Sequence, residues 1–403
     1  MKRVLFLCGR FSPKPSANSI CVQNIINTLP KDQFEVVVVA YNDGYYSPDG
    51  FDVYKFKRGL IQSLLYYCEN QQRRLYKIIT NALCFIQRIK QLLCVPIWPW
   101  FDPITSYREL KLVRKVIRSR KIDLIVAVHT PVSSLYVADK IKKENPNIKY
   151  IAYFLDSLSG GYVPKKIPYA WYDNKCRILE KQLIKRADRI VFMNSSKEYH
   201  LDLYKDSEFE DRIVFLDVPL LIERECDSTN ANEHVSLVYV GSLASSMRSP
   251  QHILDVFSYI KDPAWELIFV GDSSCKVVNE YANQDRRIKV IGKCSHGEAL
   301  RYEKEATILV NLGNNNPNMV PSKVFEYMSW CKKIVSTYSF DGDTSIAYLK
   351  RYPLRLLINE RDSAEKQAVA LFEFVNKEMQ SVSYADIKKE FHSNTPEAFI
   401  ELI

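Results

Sequence analysis

Glycine is scarce in this chain, 12 of 403 residues, less than half of the roughly 7 per cent usual in soluble proteins. Neither G-x-G-x-x-G nor G-x-x-x-x-G-K-[ST] occurs, so an NAD-type enzyme or a P-loop NTPase lacks its phosphate-binding loop. Long apolar runs are missing too. The stretch Leu124 to Ala138 is interrupted by His129, Pro131 and two serines, short of the roughly 18 residues that cross a bilayer. The N-terminus MKRVLFLCGR mimics a secretion signal, but its apolar centre is only about six residues and ends at Arg10, which reads as a buried first strand. Ten cysteines form no C-x-x-C pair and no Cys/His cluster at zinc spacing. They read as reduced thiols of a cytoplasmic protein, and no metal site is expected.

Where the few glycines fall is informative. VYVG ends at Gly241, IFVG at Gly271, KVIG at Gly292 and VNLG at Gly313. Each is a short apolar run rich in β-branched residues, the pattern of strands buried on both faces of a parallel sheet, whose ligands bind beyond the carboxyl ends of the strands. The N-terminal half alternates in the same way. Strands are predicted at Val4–Cys8, Glu35–Tyr41, Val53–Phe56, Leu124–Val128, Lys149–Phe154, Arg189–Met193 and Arg212–Leu216, with helices at 18–29, 62–93, 106–119, 131–143, 170–186 and 196–204 between them. Residues 223–233, ERECDSTNANE, are polar and without apolar periodicity, as a linker is. The expectation is an α/β protein of two Rossmann-like domains, 1–222 and 234–384, with the cleft between them as the default active site.

The formal charge of +9 is unevenly spread. Residues 51–120 hold fourteen Lys or Arg against four Asp or Glu, +10 in one segment. Within it Leu75, Ile78, Ile79, Ala82, Leu83, Phe85, Ile86, Ile89, Leu92 and Leu93 recur at helical spacing, with Arg73, Arg74, Lys77 and Arg88 among them. A basic amphipathic element of this kind fits the inner face of an anionic membrane. The plainer alternative is a core helix with a solvated cationic face. Nucleic acid is disfavoured, because no nucleic-acid module is present.

The segment NLGNNNPNMVPSKVFEYMSWCKKIVST, 311–337, places a polar loop before a short helix and a strand, with Lys323 and Glu326 one turn apart. Backbone N–H groups entering the helix suit a phosphate, and Glu326 stands where a carboxylate can accept both hydroxyls of a ribose. An exposed i, i+3 ion pair is the competing explanation. The loop GSLASSMRSP adds Gly241, Ser242 and Arg248, so two cations converge on one sheet edge. On the other domain, His129 in AVHTP and Asp156 in YFLDSLSGG lie just past strand ends and are candidates to orient an acceptor hydroxyl. Asn18, in the first loop, is a weaker one. Helix capping explains each of these polar residues nearly as well.

PSKVFEYMSWCKKIV resembles the PSK-x-x-EYM-x-x-GKPII donor segment of the retaining GT-B glycosyltransferases of bacterial capsule, lipopolysaccharide and exopolysaccharide assembly. VYVGSLASSMRSP resembles their GSL-x-x-x-x-R-x-P loop, and RILEKQLIKRADRIVFMNSSKEYH the helix and strand that close their N-terminal domain. The resemblance implies that Glu326 holds the ribose, that Arg248 and Lys323 neutralise the diphosphate, and that the loop around Asn318, Met319, Val320 and Ser322 meets the donor phosphate and sugar, beside Gly271 and Gly292. It implies front-face transfer with retention, assisted by the departing phosphate, with the nucleotide-sugar as substrate and no cofactor. The acceptor is then a glycan or a polyprenyl-diphosphate-linked glycan. A final helix, 385–403, is expected to pack on the N-terminal domain. Two departures stand out. Asn318 occupies the position of a usual Glu, and Cys331 and Lys333 replace the usual Gly and Pro.

Two further functions compete. A nucleotide-sugar epimerase needs acid/base carboxylates in the donor pocket. A nucleotide-sugar-binding scaffold without turnover, seated at the membrane, needs none.

Overall fold

The computed structural model describes residues 1–11, 16–42, 52–69, 74–95, 99, 102–161, 163, 167–225, 234–243, 248–271, 274–313 and 322–403. Two compact units result, Met1–Val218 with Pro396–Ile403, and Pro219–Thr395.

The first unit runs β1 (Lys2–Leu7), α1 (Ala17–Thr28), β2 (Phe34–Tyr41), β3 (Asp52–Phe56), α2 (Leu60–Glu69), α3 (Arg74–Leu93), α4 (Pro103–Ser119), β4 (Leu124–His129), α5 (Val132–Glu144), β5 (Lys149–Phe154), α6 (Tyr169–Ile184), β6 (Arg189–Met193), α7 (Lys197–Tyr204) and β7 (Ile213–Leu216). Its strands form one parallel sheet in the order β3-β2-β1-β4-β5-β6-β7. Val4 to Leu7 and Leu124 to Val128 are fully enclosed, which is why both read as unbroken apolar runs. Helix starts follow local chemistry. Asp102 accepts from the amides of Ile104 and Thr105 ahead of Pro103 in the first turn of α4, where proline's fixed φ suits the helix.

The single helix expected over 62–93 is two, α2 and α3. The intervening sequence, Asn70 to Arg73, carries no apolar residue to extend the stripe.

The second unit runs β8 (Val235–Gly241), α8 (Gln251–Tyr259), β9 (Trp265–Gly271), α9 (Lys276–Gln284), β10 (Ile288–Ile291), α10 (His296–Glu305), β11 (Ile308–Leu312), α11 (Lys323–Met328), β12 (Lys333–Tyr338), α12 (Thr344–Arg351), β13 (Arg355–Asn359), α13 (Ala364–Asn376) and α14 (Tyr384–Glu390). Its parallel sheet has the order β10-β9-β8-β11-β12-β13. The four glycines therefore sit at the carboxyl ends of four neighbouring strands. Gly241 and Gly271 close β8 and β9, while Gly292 and Gly313 directly follow β10 and β11. Gly271 has φ +126°, and a Cβ there would lie 2.6 Å from the Gly241 carbonyl oxygen, so the position admits no side chain.

In place of one helix over 385–403, α14 is followed by a 3-10 turn, His392–Asn394, and by α15 (Pro396–Ile400). Pro396 cannot continue a preceding helix. α15 folds with the first unit. There Phe399 is buried with its ring 4.5 Å from that of Tyr153, and Lys2 donates to the Ile403 carbonyl. Among the described residues no helix is long and apolar enough to cross a membrane, and the nine described cysteines are free thiols.

Candidate functional site

In the second unit the geometry centres on α11. Val324, Phe325, Tyr327 and Met328 are all buried, so a charged residue on this helix is drawn into the protein with them. Two tethers fix its position. The Tyr327 hydroxyl accepts from the Val240 amide at 2.9 Å and faces the Val240 carbonyl at 3.3 Å, which locks α11 to the end of β8. Ser329 accepts from the Ile222 amide at 3.1 Å and donates toward the Leu220 carbonyl. That second tether carries the segment 220–224 onto the end of α11.

Glu326, only 5% exposed, is held by two cations. Lys323 Nζ lies 2.7 Å from its Oε2, and Arg224 Nη2 lies 3.3 Å from its Oε1. Lys323 also donates to Glu303 Oε1 at 2.8 Å, and the other Glu303 oxygen accepts from Trp330 Nε1 at 3.0 Å. Arg224 in turn lies over the Trp330 ring, 4.9 Å from its centroid. Two carboxylates and two cations thus form one buried, neutral network, the condition under which buried charge is tolerated.

Burial pushes the Glu326 carboxyl up, but Lys323 and then Arg224 outweigh it, and its pKa falls below the ordinary carboxylate value. Burial raises Glu303, and the neighbouring charge of Glu326 raises it further. Burial lowers the Lys323 ammonium, but Glu326 and Glu303 overcome this and raise it. The network holds Glu326 ionised and Lys323 protonated. An ionised carboxylate can accept two hydroxyl hydrogens at once.

Lys323 and Glu326 are thus brought together, with Glu326 buried and Lys323 half-buried rather than as an exposed pair. Lys323, expected to neutralise a diphosphate, is bracketed by two carboxylates. Ser322 precedes α11 without a side-chain cap bond, and the helix has six residues; so short a dipole contributes little to holding an anion. Arg248 is partly buried, two residues ahead of Pro250 at the start of α8. Ser242 follows β8 with its carbonyl accepting from the Tyr239 hydroxyl. Asn318, Met319 and Val320 lie outside the described residues.

Sequence reasoning missed Arg224, Glu303 and Trp330. Glu303 left a trace. With Ala299 and Ala306 it follows helical spacing on the buried side of α10, so a charge interrupts an apolar stripe there. Arg224 left none, because it stands in a stretch that reads as linker.

The first unit gathers its own three candidates. His129 ends β4, Asp156 follows the adjacent β5, and Asn18 opens α1. Asn18 Nδ2 donates to Asp156 Oδ2 at 2.9 Å, and Thr130 Oγ1 donates to the same oxygen at 3.2 Å. The buried His129 ring places Nδ1 2.6 Å from the Asp156 carbonyl oxygen. A carbonyl only accepts, so Nδ1 carries the proton and Nε2 the lone pair. Burial lowers the His129 pKa, partly opposed by that carbonyl, and the ring is neutral at physiological pH.

A second layer holds this cluster. Glu180 on α6 accepts from the Ser159 amide and hydroxyl at 3.0 and 2.8 Å and from Tyr204 at 2.7 Å. Asp173 accepts from the Gly160 amide at 2.6 Å, so α6 fixes the loop that carries Asp156. Beneath the turn after His129, Glu109 accepts from Ser133 and Ser134 at 2.8 and 2.9 Å. Burial moves its pKa from an ordinary 4.5 up to about 7.

Parallel α/β units of seven and six strands in succession are the GT-B fold, that of a large class of nucleotide-sugar glycosyltransferases. Solved structures agree. The lipopolysaccharide outer core galactosyltransferase WaaB matches at 13% identity over 98% of this chain and 95% of its own, with a TM-score of 0.54. Sucrose-phosphate synthase from Thermosynechococcus elongatus matches at 14% over 93% and 90%, TM-score 0.57. A Listeria monocytogenes protein assigned as a UDP-N-acetylglucosamine 2-epimerase matches at 12% over 97% and 97%, TM-score 0.54. At these identities the likeness is one of fold. No family model matches the sequence, and no curated protein matches it.

Proposed function

We propose that the chain is a retaining glycosyltransferase of cell-surface polysaccharide assembly. It moves a hexose from a nucleotide diphosphate sugar to a glycan or a polyprenyl-diphosphate-linked glycan. The second unit binds the donor and the first binds the acceptor. The observation that carries this is Glu326, an ionised, buried carboxylate fixed by Lys323 on the helix that follows β11, in a parallel α/β unit of the kind that binds nucleotides. In this reading Glu326 accepts the ribose hydroxyls. Arg248 and Lys323 oppose the charge that builds on the departing diphosphate, a stabilisation greatest in the transition state. The departing phosphate itself assists deprotonation of the acceptor, and Asp156 with neutral His129 orients the acceptor hydroxyl. The nucleotide-sugar is a substrate and no cofactor is invoked. The basic segment 51–120 sets the protein against the inner face of an anionic membrane, where a lipid-linked acceptor resides.

The test is thermal unfolding against UDP, GDP, ADP and CMP, in parallel on Glu326→Ala. At 100 times the dissociation constant, binding adds about 2.7 kcal/mol. A shift with one nucleotide that vanishes in Glu326→Ala supports the donor site. A folded protein that shifts with none of them overturns it, and a shift without turnover of any donor identifies a binding scaffold.

One observation favours an epimerase as the second reading. Glu303 and Glu326 both place an oxygen on Lys323 Nζ, at 2.8 and 2.7 Å, and two carboxylates held in one site can divide acid and base roles. Incubation with a nucleotide-sugar and no acceptor separates the two: an epimerase yields an isomerised nucleotide-sugar, whereas a transferase leaves the sugar unchanged or releases nucleotide.

A further inference from the structure

α3 is amphipathic, and its orientation is inverted relative to an ordinary surface helix. Apolar stripes normally turn toward the core. Here Leu75, Ile78, Phe85, Ile86, Ile89 and Leu92 fall on one side at three- and four-residue spacing, and all are exposed, Leu92 by 71% and Ile78 by 63%. The side chains that α3 half-buries are Tyr76, Thr80, Leu83, Cys84, Gln87 and Lys90, with Tyr76 edge-on to Tyr67 of α2 at 5.9 Å. The helix thus rests on its more polar side and offers its apolar side outward. A contiguous apolar surface of this kind on a soluble chain marks an interaction site.

Charge selects the partner. α3 contains Arg74, Lys77, Arg88 and Lys90 and no acidic residue. Two copies joined through this stripe would bring like charges together, whereas an anionic lipid surface neutralises them while receiving the apolar side chains. α3 is 20 residues long, and its alternation of faces fits a helix lying in the plane of the interface. We infer that α3 is a membrane-embedding helix, seated in an anionic leaflet with the Leu75–Leu92 stripe among the acyl chains and its cations at the headgroups. This deepens the membrane part of the proposed function, replacing electrostatic adsorption by insertion, and does not depend on the donor site.

The experiment is flotation of the full chain with vesicles of phosphatidylcholine alone or with 30% phosphatidylglycerol, at low salt and at about 1 M salt, where charge attraction is screened. The variants are Ile78→Gln/Phe85→Gln/Ile89→Gln and Lys77→Gln/Arg88→Gln, and folding is checked by circular dichroism. Because these positions are exposed, the substitutions leave the fold intact. The expected result is binding to anionic vesicles that persists in part at high salt and falls by about tenfold or more in the apolar variant. Binding abolished by salt and unchanged in the apolar variant overturns insertion and leaves adsorption standing. No vesicle binding, with a dimer in sedimentation that the apolar variant dissociates, overturns it in favour of a second copy. No vesicle binding by a monomer overturns both insertion and adsorption. The nucleotide shift, measured without lipid, reports separately on the donor site.

Discussion

Arg224 and Lys323 hold opposite oxygens of the same carboxylate, that of Glu326, at 3.3 and 2.7 Å. In the proposed donor site a ribose needs both oxygens, so it competes with the longer and weaker contact, that of Arg224. Arg224→Ala is predicted to raise nucleotide affinity several-fold and to enlarge the thermal shift at fixed nucleotide. A smaller shift than wild type identifies Arg224 as a ligand of the nucleotide instead.

Lys323 separates two buried carboxylates. Lys323→Met leaves Glu303 and Glu326 facing each other with Arg224 as the one remaining cation of the network, and removing one partner of a buried ion pair typically destabilises by about 3–5 kcal/mol. Urea unfolding of the variant without ligand measures this. A loss below about 1 kcal/mol, in the range of surface pairs, contradicts a buried network.

The pKa of Glu109 makes stability depend on pH in a definite direction. Its folded carboxyl, at about 7 against an ordinary 4.5, binds a proton more tightly than the unfolded one. Its contribution is therefore complete below pH 4.5 and is lost as pH rises through 7, by roughly 3 kcal/mol. Glu109→Gln removes that dependence. Subtracting the variant's unfolding free energy from that of wild type across pH 4.5 to 8 yields a falling curve if Glu109 titrates as described, and a flat one if it does not.

Cys331 has φ +51° at the end of α11, a conformation that disfavours side chains bearing a Cβ by roughly 1–2 kcal/mol. The resemblance to PSK-x-x-EYM-x-x-GKPII places glycine at this position, and the backbone has kept the shape a glycine takes. Allowing for the greater entropy of an unfolded glycine, Cys331→Gly is predicted to stabilise by roughly 0.5–1 kcal/mol. Denaturant midpoints of the two proteins decide it, and a destabilised variant shows that the thiol's packing outweighs the strain.

Gly271→Ala is predicted to act in the opposite sense. Its methyl would meet the Gly241 carbonyl at 2.6 Å with φ at +126°, and strained backbone of this kind costs about 1–3 kcal/mol. A variant as stable as wild type would mean that β8 and β9 separate freely at that edge.

The strands were the most legible part of the sequence. Runs such as Leu124 to Val128 are enclosed on both faces, and enclosure leaves an unbroken apolar signature. Lys323 and Glu326 were legible because one turn of one helix links them. Arg224 and Glu303 were not. Residue 224 meets 326, and 303 meets 323, only through tertiary folding, and spacing along the chain does not register such contacts. The break between α2 and α3 was missed because apolar residues continue at helical spacing on both sides of it.

The contact of Phe399 with Tyr153 also bears on synthesis. The first unit begins to fold when its early strands leave the ribosome, yet the side chain that covers Tyr153 is translated only after all of residues 219–395. Domains generally fold in the order in which they are made. Here the N-terminal unit must wait with part of its interior uncovered until the second unit has been synthesised, so removal of residues 396–403 would strike the first unit rather than the second.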